Sequence, residues 1–260
     1  MRKTRRTGID KLHTLLFGQD LRITEGEPYC QVRPFDFAAN FEPRHLTKPL
    51  PAPAGEVIDI RTFGADPAAE DNAVAVQQAV DAAAKVGGTV LVDGGRYPMS
   101  TVELRSGVTL FITPGSFLAA RPDGKGFRHK ALLYGRDLIN VTLTGGGGLE
   151  GEGHRFGLRP ALPQNCTKPA DLIDVIEMRR TYRAQLRFAH PSKYGGLLCL
   201  EQCQGVHIHH FLFQNSAHWT CRLQMCRDVL VEYAAIRNNR NVANADGFDI
   251  VGGQDLTFRH

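Results

Sequence analysis

Residues 244–250 read Asn-Ala-Asp-Gly-Phe-Asp-Ile, two carboxylates three positions apart with a glycine between them. Carboxylates are residue types that take a proton from water or give one to a leaving group, so this pair is the first place to look for acid–base chemistry. If the alternation of a strand runs through the stretch, Asp246 and Asp249 project to opposite sides. Only one of them then faces a cleft, and the other is left to tie down backbone. Asp246 is the catalytic candidate on this reading, and Asp249 and Gly247 support the turn. Taken alone, Asp-Gly is more often an ordinary turn, so the elements around it must decide.

Those elements point to one repetitive body. At 260 residues, 42% hydrophobic and 22% charged, the chain can build a sizeable core and does not have the composition of a disordered protein. Strand-like runs recur after residue 100: Gly107-Val108-Thr109-Leu110-Phe111-Ile112, Leu138-Ile139-Asn140-Val141-Thr142-Leu143, Gly205-Val206-His207-Ile208, Asp228-Val229-Leu230-Val231 and Asp255-Leu256-Thr257-Phe258. Val206, Val229 and Leu256 are taken as equivalents, 23 and 27 residues apart. A period of 20 to 30 with short strands in each repeat is the mark of a stacked solenoid. Upstream, Val57-Ile58-Asp59-Ile60 reads as a strand. Asp71 is a candidate cap for a helix burying Val76, Val80, Ala83 and Ala84, and Gly87-Gly88 ends that helix before the strand Thr89-Val90-Leu91-Val92. Residues 171–188 have a helical period and are expected to form an excursion from the solenoid.

Residues 1–55, broken by Pro28, Pro34, Pro43, Pro49, Pro51 and Pro53, read as an appendage or linker, and residues 56–260 as the domain. The net charge of +4 is spread along the chain and falls short of a nucleic-acid footprint. Neither a secretion signal nor a membrane-spanning run is visible, so the expected location is cytoplasmic, or secreted if the true start differs. The pairs Cys199/Cys203 and Cys221/Cys226 lack the spacing of a zinc knuckle and read as free buried thiols. His207 and His209 fall on one side of a strand and His210 on the other, which argues against a metal cluster. No metal or other cofactor is expected.

Three motifs then bear on chemistry. Gly151-Glu152-Gly153, the segment Asn215-Ser216-Ala217-His218-Trp219-Thr220, and Asn244-Ala245-Asp246-Gly247-Phe248-Asp249 occur in that order along the repeats. Together with the opening Ile58-Asp59-Ile60-Arg61-Thr62-Phe63-Gly64-Ala65, they make residues 57–260 resemble the right-handed parallel β-helix enzymes of glycoside hydrolase family 28, the polygalacturonases and their relatives. The resemblance implies an all-β parallel β-helix with a short capping helix near its start. It also implies inverting hydrolysis of α-galacturonide or related pectin-type linkages, with an acidic oligo- or polysaccharide as partner. Asp246 matches the family's water-activating carboxylate, and Asn244 orients it or contacts substrate. Trp219 stacks on a sugar or simply packs, and Arg222, Arg237 and Arg240 are candidates to hold an acidic sugar.

The departures carry equal weight. Ala245 stands where the family has threonine, and the family's following Gly-Asp-Asp, Gly-His-Gly and Arg-x-Lys are not reached before His260. One carboxylate cannot serve as both acid and base. The 260-residue chain is therefore expected to be a fragment with little hydrolase activity of its own. A non-catalytic carbohydrate-binding or structural β-helix is the alternative, and a lyase is disfavoured because no dense carboxylate cluster for calcium is apparent.

Overall fold

The computed structural model describes residues 44–153, 195–238, 242 and 244–260. The expected excursion at 171–188 and the candidate Arg240 lie outside the described residues. Within them the chain is a right-handed parallel β-helix, a sheet of 13 strands in which every pairing is parallel. Each coil carries up to three faces. The first face stacks β4 (Val102–Glu103), β7 (Ala131–Arg136), β10 (Gly196–Glu201) and the leading parts of β12 (Cys221–Arg237) and β13 (Phe248–Arg259). The second stacks β1 (Val57–Asp59), β2 (Thr89–Val92), β5 (Thr109–Ile112), β8 (Ile139–Thr144), the start of β11 (Gln204–Gln214), the middle of β12 and the end of β13. The third stacks β3 (Arg96–Met99), β6 (Phe117–Ala120), β9 (Gly148–Glu150) and the ends of β11 and β12.

The repeat read from the sequence is the register of the coils. Val141, Val206, Val229 and Leu256 stand in one inward column, and Leu143, Ile208, Val231 and Phe258 in the next. Each aliphatic side chain removed from water in these columns contributes on the order of 1.5–3 kcal/mol. Burial weakens at β13, where Ile250, Val251 and Phe258 are exposed. At the opposite end, helix α1 (Ala73–Val86) covers the coil with Ala75, Val76, Ala79, Val80 and Ala83. The N-cap is Asn72, one residue later than the cap read at Asp71, and it makes no side-chain cap bond; the Asp71 carboxylate accepts from the Ala73 N–H at 2.9 Å and from the Ser100 N–H at 2.9 Å, pinning the start of the helix to the first coil. Gly87 ends the helix in the left-handed conformation.

Corners between faces are made by single residues with positive φ, aligned from coil to coil. Asp137, Gln202, Met225 and Gly252 form one such column. Asn140, Gly205, Asp228 and Asp255 form a second, three residues further along each coil. Gly145, His210, Tyr233 and His260 form a third, five residues beyond that. The side chains of the third column stack, His210 on Tyr233 at 4.9 Å and Tyr233 on His260 at 4.6 Å. Stacking offsets part of the cost of holding L residues in left-handed backbone.

Candidate functional site

On the outer surface of the first face, strand alternation aligns Tyr134, Cys199, Arg222 and Asp249 in one column. The column beside it holds Arg136, Glu201, Gln224 and Val251. Glu201 is the hub of this surface. Its carboxylate accepts from the Tyr134 hydroxyl at 3.0 Å, and lies 3.5 Å from Arg222 Nη2 and 3.9 Å from Arg136 Nη1. Burial, followed by the bond to Glu201, raises the Tyr134 hydroxyl above its ordinary pKa. Arg222 also donates to Gln224 Oε1. Sequence reasoning missed Glu201, although its place outward on a strand two residues beyond Cys199 follows once the coils are in register.

The turn leading into β13 brings Asp246 to the edge of this surface. Asp246 is exposed, and its carbonyl accepts from the Thr220 N–H at 2.9 Å, while the Gly247 carbonyl accepts from the Cys221 N–H at 2.9 Å. Asn238 holds the turn from within: its amide nitrogen donates to the Ala245 carbonyl at 3.0 Å and to Thr220 Oγ1 at 2.5 Å, and its oxygen accepts from the Ser216 N–H at 2.9 Å. Thr220 and Ser216 are fully buried, so these bonds satisfy groups that water cannot reach. Asn244 takes the left-handed conformation that the turn requires. Gly247 leaves room for Ile236, whose Cδ1 would stand 3.1 Å from a Cβ placed there.

Among the described residues the Asp249 Oδ2 is buried without a hydrogen-bond partner, and so is Nε of Arg222, its register partner on the neighbouring coil. Asn238, not that Asp249 oxygen, does the bracing. Burial, reinforced by the charge of Asp246, raises the Asp249 carboxyl above its usual range. Alternation does not separate the two carboxylates as expected because the strand begins only at Phe248, leaving Asp246 in irregular backbone. Asp249 in turn adds to the burial that pushes the Cys221 thiol well up.

The other sequence candidates are distributed around this surface. Trp219 is half-buried against His218, with ring centres 5.2 Å apart, and its carbonyl presses on Gly196, where a Cβ would lie 1.9 Å away. Arg237 is on the third face, near His45. His207, His209 and His210 sit on the second face and its corner. His207 Nε2 lies 3.1 Å from Glu232, which also accepts from Arg259 Nε at 2.8 Å. Positive φ turns His210 back so that its Nδ1 lies 3.1 Å from that of His209. Among the described residues no group of three His, Cys, Asp or Glu is placed to hold a metal ion. None of the described helices is long and apolar enough to cross a membrane.

The class that these coils define is the right-handed parallel β-helix. No protein-family model matches the chain, and no curated protein matches it by sequence. Solved structures do match. The family 28 exopolygalacturonase of Yersinia enterocolitica is 20% identical with a TM-score of 0.57, over 76% of this chain and 41% of that one. The polygalacturonase of Erwinia carotovora is 16% identical with a TM-score of 0.55, over 77% and 52%. The endo-xylogalacturonan hydrolase of Aspergillus tubingensis is 19% identical with a TM-score of 0.53, over 75% and 48%. The chain therefore spans about half or less of the length of these three proteins. At such identities the likeness establishes the fold.

Proposed function

We propose that this chain is the substrate-facing part of a β-helix glycoside hydrolase acting on an acidic, galacturonide-type oligo- or polysaccharide. The observation that carries the reading is the exposed Asp246, held by Asn238 at the edge of a face whose column presents Arg222 and Tyr134. Asp246 takes the proton of the attacking water, Asn244 and Trp219 border the sugar, and Arg222 attracts a uronate carboxylate. Inversion needs a second carboxyl about 6.5–9.5 Å away as the acid. A further coil stacked on β13, about 4.8 Å beyond it, is the place from which that acid would come. The described residues thus hold the base side of the reaction.

The test is calorimetric binding of galacturonide oligomers to the purified chain, alongside a reducing-sugar assay. Binding is expected, with turnover far below enzyme rates, and Asp246→Asn is expected to weaken binding while abolishing any residual turnover. Unchanged binding in Asp246→Asn would favour a non-catalytic carbohydrate-binding module. Turnover by the 260-residue chain at rates usual for enzymes would refute the division of the site.

A further inference from the structure

The corner between the first and second faces holds a cysteine in each of two successive coils. Register pairs Glu201 with Gln224 and Gln204 with Arg227, which sets Cys203 directly beside Cys226. The Arg227 N–H donates to the Cys203 carbonyl at 3.0 Å, so the two backbones are locked side by side at this point. Adjacent parallel strands run about 4.8 Å apart, inside the Cα separation of about 4.4–6.8 Å that a disulfide spans. Both side chains point into the core, with 0% and 1% exposure.

Cys226 Sγ reaches back over its own coil to within 3.5 Å of the Leu200 carbonyl, in the coil that carries Cys203, and Cys203 Sγ lies 3.4 Å from the Glu201 carbonyl. The nearness of the two thiols raises the pKa of Cys203 and lowers that of Cys226. No comparable mate exists for the other two described cysteines. Cys199 stands beside Arg222 and Tyr134, and Cys221 beside Leu198 and Phe248. On the far side of Cys226 the column continues with Gly253, whose lack of a side chain leaves Cys226 no competing sulfur there.

We propose that Cys203 and Cys226 form a site for an inter-coil disulfide, made with a low-molecular-weight disulfide as oxidant. The Cys226 thiolate attacks one sulfur of oxidised glutathione and expels one glutathione thiolate, leaving a mixed disulfide on Cys226. Cys203 then loses its proton and attacks the Cys226 sulfur, expelling the second glutathione. Two protein thiols are oxidised and one small disulfide is reduced to two thiols, so electrons and protons balance. Access to buried sulfurs requires the corner to open, and the exposed β13 is the layer that must lift to uncover Cys226.

The test uses the full chain in two arms: folded protein incubated with oxidised glutathione, and protein refolded in a glutathione redox buffer. Each is alkylated, digested without reduction and mapped by mass spectrometry. The expected result, in at least the refolded arm, is a cross-linked peptide pair joining Cys203 to Cys226, two hydrogens lighter than its reduced parts. Reducing agent should release it, and Cys199→Ser and Cys221→Ser should leave it unchanged. Absence of this link in both arms overturns the proposal, as does a preferred link between Cys226 and any other cysteine. Because the readout is the wild-type cross-link, neither a misfolded Cys203→Ser variant nor failure of the glycosidase reading bears on the outcome.

Discussion

Replacing His45 should remove a specific part of the acid sensitivity of this fold. His45 lies in the 3-10 turn Arg44–Leu46, packed against β11 and β12, and only 4% of it is exposed. Among the described residues its Nδ1 is buried without a partner, and the charged or chargeable groups around it are Arg237 on β12 and His210 on β11, both of which oppose a positive imidazole. His210 in turn faces His207, His209 and Glu232. Burial first, then Arg237 and His210, pulls the His45 pKa down to about 4 from an ordinary 6.5. Between these values the unfolded chain takes up a proton that the folded chain refuses. Stability is therefore lost as pH falls from 6.5 toward 4, and no further loss arises from this group below 4. The full difference is worth about 3 kcal/mol, and about 2.5 kcal/mol of it is lost by pH 4.5. His45→Leu keeps the packing and removes the proton site. Urea unfolding of wild type and variant at pH 7.5 and 4.5 should show the variant losing about 2.5 kcal/mol less on acidification. Equal losses in the two proteins would refute the burial of an unprotonated His45 against Arg237.

Asp249 gives an effect of opposite dependence. Because its folded pKa is raised by burial and by Asp246, ionising it costs stability as pH rises above 3.8, so Asp249→Asn should stabilise the chain at pH 7 and give no gain well below pH 3.8. Carboxyl NMR titration should show the Asp249 value moving down in Asp246→Asn, and an unmoved titration would remove the coupling between the two carboxylates. Gly148→Ala should fail to give a folded chain, or lose more than about 4 kcal/mol in chemical unfolding, since a Cβ there would stand 1.8 Å from the Leu212 carbonyl. A near-native unfolding midpoint would show that β9 and β11 are less closely apposed than their pairing indicates.

The parts of the fold legible in the sequence were those in which one residue type has one physical use. Alternating aliphatics at 206, 229 and 256 gave the coil period because only one register buries all of them. Gly87 marked the end of α1 because the left-handed cap is nearly free of cost for glycine alone. The corners were not legible at Gln202 or Met225, residues with no turn chemistry of their own. Their positive φ is imposed by the stack, in which Gly252 occupies the same place one coil later. Within the site, the turn around Asp246 was readable from its motif. The hub at Glu201 was not, since it exists only through Tyr134 and Arg136 of the preceding coil and Arg222 of the following one. Strand parity could not relate Asp246 to Asp249, because the strand begins only at Phe248.

The three aligned corner columns also constrain how such a chain can vary. From each first corner to the second is three residues, and from the second to the third five, in every one of the four coils beginning at Asp137, Gln202, Met225 and Gly252. Coils of 23 and 27 residues therefore differ only in the connection that returns from the third face to the first. The four extra residues of the longer of these two coils lie in that seam, which carries Trp219, Asn244 and Asp246. Length can change beside the candidate cleft while the stacking registers stay fixed, so the ligand-facing rim and the load-carrying coil are free to evolve separately.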